Sequence, residues 1–109
     1  MRRIIRTDGT VEELPAPKPM SSLKALIGAT DIDTVNLRHM GDPLHVMLVD
    51  DHGWETKAVT KGDTTVLHPV RARKPVNAEA TRLYHLNCRP GTTHKIVGDV
   101  VVVPDEDFA

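Results

Sequence analysis

Apolar positions recur along this chain at two spacings, and the changes between them mark out its elements. Residues 3–7 and 11–14 flank Asp8-Gly9, a dipeptide suited to a tight turn, so an N-terminal hairpin is predicted. Pro15, Pro17 and Pro19 remove backbone donors and fix φ, which makes residues 15–19 an extended connector. Leu23, Leu26 and Ile27 then fall at i, i+3 and i+4 on one helix face. Ser21 or Ser22 is expected to cap that helix and Gly28 to end it. From Ile32 the spacing drops to two: Asp33, Val35 and Leu37 point one way, Thr34, Asn36 and Arg38 the other, as in a strand wet on one face. Gly41, Asp42 and Pro43 predict a turn. Residues 44–49 are apolar apart from His45 and read as a central strand covered on both faces, and Asp50 to Gly53 form the next turn.

Beyond Trp54 the pattern weakens, although Lys61-Gly62-Asp63 predicts a turn joining a strand at 58–60 to another at 64–67. Asn77 caps the clearest helix, residues 78 to about 87, with Ala80, Leu83 and Tyr84 as its apolar stripe. Glu79 and Arg82 lie three apart on the other side, where a solvated ion pair is worth roughly 0.2–0.5 kcal/mol. Arg89-Pro90-Gly91 stops the helix. From Lys95 to Val103 both the even positions Ile96, Val100 and Val102 and the odd positions Val97, Val101 and Val103 are apolar. Such a strand belongs in the interior of a sheet, with Gly98 permitting a bulge or a close approach. Strands outnumber dispersed helices, which predicts a single α+β domain over residues 1–109 with a mostly antiparallel sheet and two helices. Residues 1–19 are its hairpin and proline-rich connector, and residues 22–108 its core.

Composition narrows the function classes. At 109 residues and 12.0 kDa the chain can bury one modest core. Fourteen basic against fifteen acidic side chains leave a net charge of -1, so no broad field draws it to nucleic acid or an anionic membrane. One Phe, one Tyr and one Trp provide no platform for stacking several bases. The single Cys88 allows no intramolecular disulfide, which suits a reducing compartment. Arg2 and Arg3 are followed by Ile4 and Ile5, but Arg6 and Asp8 break the run before any signal-peptide core forms. The longest apolar runs, 46–49 and 100–104, are far too short to span a membrane. A soluble protein of the cytoplasm is expected.

Candidate chemistry is sparse. Thr81, His85 and Cys88 are spaced to share a helix face, yet a Cys-His nucleophile needs an orienting partner and an oxyanion site, and zinc needs three or four ligands. Neither can be assembled, so a surface His and a half-buried Cys are the plainer reading. His39, His45, His52, His68, His85 and His94 show no paired metal spacing. Asp50 with Asp51, and Asp105 with Glu106 and Asp107, are acidic groups that could bind a divalent cation, though the plainer reading is a turn and a solvated tail. No glycine-rich nucleotide loop or nucleophile elbow occurs, so no catalytic residue, metal or cofactor is assigned and the sequence reads against an enzyme. The best-motivated ligand site is an anion site of Arg71, Arg73 and Lys74 before the helix N-terminus at Asn77, with Thr81 and His85 on the adjoining polar face. Its plainer alternative is a solvated loop bracketed by Pro69 and Pro75. Trp54 is either a core anchor or an interface residue.

The stretch KPVNAEATRLYHLN followed by HKIVGDVVVVPDEDF resembles a small domain family of unknown function carried mostly by bacteriophages, including those of actinobacteria, and by plasmids. The resemblance lies in Pro75, Asn77, Ala80, Thr81, Leu83 and Tyr84, then Ile96, Gly98, Asp99 and Val102. SLKALIG and VMLVDDHG extend it to roughly residues 22–108, with 57–73 left uncovered. The resemblance implies origin in a phage or other mobile element and a binding role, and no known substrate; the first expectation is a non-enzymatic accessory protein that binds a host protein and could thereby inhibit a host process or defence system. A binder or sponge of a small anionic ligand such as a nucleotide is the alternative, and a hydrolase or metalloenzyme centred on His85 and Cys88 ranks last. Homodimerisation through an open sheet edge at residues 32–38 is a further expectation.

Overall fold

The computed structural model describes residues 2–37, 45–87 and 92–108. His39, Leu44, Cys88 and the turns expected at Gly41-Asp42-Pro43 and Arg89-Pro90-Gly91 lie outside the described residues. The elements in chain order are β1 (Arg2–Ile5), β2 (Val11–Leu14), α1 (Met20–Ile27), β3 (Ile32–Asn36), β4 (His45–Asp50), β5 (Trp54–Lys61), β6 (Thr64–Ala72), α2 (Ala78–Asn87), β7 (Val100–Pro104) and a terminal 3-10 turn, Asp105–Phe108. Five strands form one antiparallel sheet in the order β2-β1-β7-β4-β3, and β5 and β6 form a separate antiparallel ribbon. The chain is an α+β domain.

β7 is the middle of the sheet because its valines are apolar on both faces. Val101 and Val103 pack with Ile4, Leu14, Val46 and Leu48 under Leu23 and Ile27 of α1. Val100 and Val102 pack with Ile5, Leu37 and Met47 against Ala80 and Leu83 of α2. Burying one such side chain contributes about 1.5–3 kcal/mol, so this strand carries much of the apolar stabilisation. The alternation expected of β3 also holds. Val35 and Leu37 face the α2 layer, while Ile32 reaches the α1 layer.

Several features differ from expectation. Helix α1 begins at Met20, and Pro19, extended at φ -63° and ψ 155°, occupies the cap position with no side-chain cap bond. The Ser22 and Leu23 amides donate to the Pro19 carbonyl at 3.0 and 3.2 Å, so neither Ser21 nor Ser22 caps. Gly28 ends the helix as expected, left-handed at φ 66°. The N-terminal hairpin forms, but β1 is interior, between β2 and β7, and of the two hairpin strands β2 alone is an edge. Finally, β7 starts at Val100. Residues 95–99 lie off the sheet, where Val97 bridges Val76 and Gly98 turns the chain at φ 79°. Ile96 and Val97 are buried there all the same, which is why the apolar run extends past the strand.

Asn77 joins these parts. It is 1% exposed. Its Oδ1 accepts the Ala80 amide at 3.0 Å, the expected helix cap, while Nδ2 donates to the carbonyls of Ile5 on β1 and of Gly98, both at 3.0 Å. Its backbone N–H donates to Ile96 at 2.8 Å. One side chain thus satisfies polar groups of the sheet, the helix and the loop between them.

Asn77→Ala orphans two carbonyls and an amide, and at about 1–3 kcal/mol for a buried unsatisfied group it should cost roughly 3 kcal/mol or more. Asn77→Asp keeps the cap but aims an anionic oxygen at two carbonyls, which raises that carboxyl's pKa in the folded state. Its deficit should be full above that pKa and shrink as pH falls through it, because a protonated Asp donates to one carbonyl. Thermal melts at pH about 8 and about 5 check this; equal deficits at both would contradict it.

Candidate functional site

The polar face of α2 holds a strap of chain, residues 94–97. Thr81 Oγ1 accepts the Ile96 amide at 2.9 Å and lies 3.3 Å from the Ile96 carbonyl as its donor. His85 Nε2 sits 2.7 Å from the His94 carbonyl, so the ring donates there. Tyr84 meets the His94 ring edge-on with centroids 5.5 Å apart. The helical spacing therefore does bring Thr81 and His85 to one face, and both act on the strap.

The basic residues separate. Arg71 belongs to β6, with Nε 3.3 Å from Glu55 of β5 across an exposed ribbon. The Arg73 amide donates to Gly53 at 2.9 Å and its guanidinium lies 3.4 Å from the His52 carbonyl. Lys74 turns inward: Nζ donates to the carbonyls of Ile27 and Gly28 at 3.1 and 3.0 Å and pairs with Asp50 at 2.6 Å. Its stem lies over Gly98, where an added Cβ would fall 2.8 Å from Lys74 Cδ. The close approach anticipated at Gly98 is thus a lysine stem. A shallow hollow of about 370 Å³ beside it is lined by Thr7, Gly28, Lys74 and Asp99. Asp99 is already matched there, accepting from Arg6 and from the Thr7 amide at 2.9 Å each.

A different site emerges where the ribbon joins the body. The turn after β4 passes so close to the strap that a Cβ on Gly53 would meet Val97 at 2.8 Å. Trp54 follows, donating Nε1–H to the Lys95 carbonyl at 3.0 Å, with its ring 5.7 Å from that of His94. Between ribbon and sheet lies a cleft of about 260 Å³. Val49, Ile96, Val97, Trp54, Leu67 and Pro69 supply its apolar lining, with Thr56 and His94, and Asp33, Asp50 and Asp51 supply its acidic groups.

Cross-strand register gives the ribbon two unlike faces. Trp54, Thr56, Ala58 and Thr60 pair with Ala72, Pro69, Leu67 and Thr65, and this face carries no charge. Glu55, Lys57, Val59 and Lys61 pair with Arg71, His68, Val66 and Thr64 on the other. The uncharged face is the one that lines the cleft. β6 runs to Ala72, beyond the strand end expected at residue 67, past Pro69 and a register shift that leaves Val70 without an opposite residue. A ribbon wet on both faces shows no burial period, and a proline is tolerated where a strand has an open edge. Asp33, Asp51, Leu67 and Pro69 are thus site residues that sequence reasoning missed. The alternation of uncharged and charged residues over 54–57 was the signal available for the ribbon's two faces; none marked Asp33 or Asp51.

Among the described residues no three His, Cys, Asp or Glu side chains gather to hold a metal, and no helix is long and apolar enough to cross a membrane. No family model, curated protein or solved structure matches the chain.

Lys74→Met strands the Asp50 carboxylate, only 6% exposed, together with two carbonyls, and should destabilise by about 2–3 kcal/mol. Adding Asp50→Asn should recover part of that loss, because the orphaned charge is then gone. Urea unfolding of both variants is the check, and strict additivity would contradict the pairing.

Proposed function

We propose that this chain is a protein-binding accessory domain whose ribbon and basal cleft take hold of a partner protein, with no chemistry of its own. The observation that carries this is the ribbon: two strands that pair only with each other among the described residues, on which Val66, Leu67 and Val70 remain 47%, 65% and 60% exposed. A lone two-stranded ribbon is marginal in water, and large apolar side chains held out on one serve contact with another molecule. The molecule measures 48 × 29 × 28 Å, long enough for a projecting arm to reach a partner surface. The likeness of the Asn77 helix and the valine strand to phage- and plasmid-borne domains favours a host protein as partner and the host cytoplasm as the setting.

The small-anion reading has weaker support. Lys74 and Asn77 spend their donors on the fold, and Arg71 and Arg73 lean on groups of the ribbon and its adjoining turn. A hydrolase centred on His85 has weaker support, since Nε2 is taken up by the His94 carbonyl and the expected partner Cys88 lies outside the described residues.

Tagged chain in host lysate should enrich a specific partner over a mock bait. Leu67→Asp should abolish that capture while shifting stability by no more than about 0.5 kcal/mol, as surface changes do. Absence of any enriched partner, or full capture by the Leu67→Asp variant, would count against the proposal.

A further inference from the structure

The cleft has a chemistry that specifies its occupant more closely. We infer that it receives an extended segment of the partner presenting a lysine or arginine beside an aliphatic or aromatic side chain. This rests on the protein-binding reading above and names the ligand class of that same site.

Size comes first. A cavity of about 260 Å³ is smaller than the roughly 300–1,000 Å³ of pockets that enclose a whole small ligand, and it suits one or two side chains of a longer chain. Its floor of Val49, Ile96 and Val97 and its wall of Trp54 and Leu67 call for an apolar group.

Charge decides the neighbour of that group. Of the three carboxylates at the cleft, Asp50 is neutralised by Lys74 from behind. Asp33 and Asp51 are exposed and make no ion pair among the described residues; Asp33 only accepts the amide of Thr34 at 2.9 Å. The cations of the ribbon, Lys57, Lys61 and Arg71, occupy its opposite face. An apolar floor below an uncompensated acidic rim complements a side chain with an apolar stem and a cationic head, or a cation adjoining an apolar residue.

Backbone geometry supplies the extended form. β3, which carries Asp33, is an edge of the main sheet, and β5, which carries Trp54 and Thr56, belongs to a ribbon of only two strands. Among the described residues each has one side without a strand partner, and residues 54–61 contain no proline to block strand addition.

The test uses the full chain to select from a displayed random peptide library. Synthetic versions of the winners, made without tryptophan, are then titrated against the emission of Trp54, the chain's single tryptophan. The expected winners place Lys or Arg beside an aliphatic or aromatic residue and perturb Trp54 emission. They should lose about five- to tenfold in affinity to the Asp33→Asn, Asp51→Asn double variant, a modest loss typical of exposed charge pairs. Asn at 33 keeps the acceptor for Thr34, so the fold should persist, as a melt will verify. Winners with no basic-apolar signature, winners indifferent to the double variant, or no winner above background would each overturn the inference. Peptides that Leu67→Asp abolishes while Trp54 emission and the double variant leave them untouched would sink the cleft assignment alone and leave protein binding by the ribbon standing. Concentration-dependent self-association lost in the double variant would replace the partner with a second copy of this chain.

Discussion

A buried primary amide has to find partners for both of its N–H groups and for its oxygen, and at Asn77 those partners come from three parts of the chain at once. The helix start, the β1 carbonyl at Ile5 and the Gly98 turn are fixed relative to one another by that single group. Much of the site follows from it. Because α2 is fixed, Thr81 and His85 can hold the strap; because the strap is held, Ile96, Val97 and His94 become the floor and wall against which Trp54 rests. Lys74 makes a second junction of the same kind, tying the end of α1 to the end of β4 across the face of Gly98.

These junctions divide the molecule by stability. The five-stranded sheet has a helix on each face, and its margins are clamped by charge-assisted bonds. Arg2 holds Asp107 at 2.8 and 2.9 Å, which lowers that carboxyl's pKa chiefly through the hydrogen bond, and Arg6 holds Asp99. Among the described residues the ribbon has its ladder and, at its base, the Trp54 contacts with Lys95 and His94. Regions that bind by adjusting to a partner belong at the low end of local stability, and here the low end and the exposed apolar side chains coincide.

Reading the sequence worked best where one local rule governed. The helix at 78–87 with its Asn77 cap, the Gly28 stop, the Gly62-Asp63 turn and the central valines were legible because capping, φ > 0 and two-faced burial each leave a mark within a few residues. What stayed hidden depends on distance. The Asn77 bond to Ile5 spans 72 positions, and the Lys74 bonds to α1 span 46 and 47. Arg71, Arg73 and Lys74 looked like one patch only because they are neighbours in sequence; strand alternation and a turn send them to different partners. Asn77, Thr81, Ile96 and Gly98 meet at the junction, so the stretch with the clearest sequence pattern builds the platform, while the ribbon lies in the part where the pattern was weakest.

Native-state hydrogen exchange resolved by residue tests this division most directly. The amides of Asn77, Ala80, Thr81, Ile96 and Gly98 should exchange only through global unfolding, with the same free energy as those of Val101 and Val102, whereas the ladder amides of β5 and β6 should exchange through local opening at much lower cost. Ribbon amides as protected as β7, or junction amides that open early and independently of the sheet, would contradict a rigid body organised around Asn77.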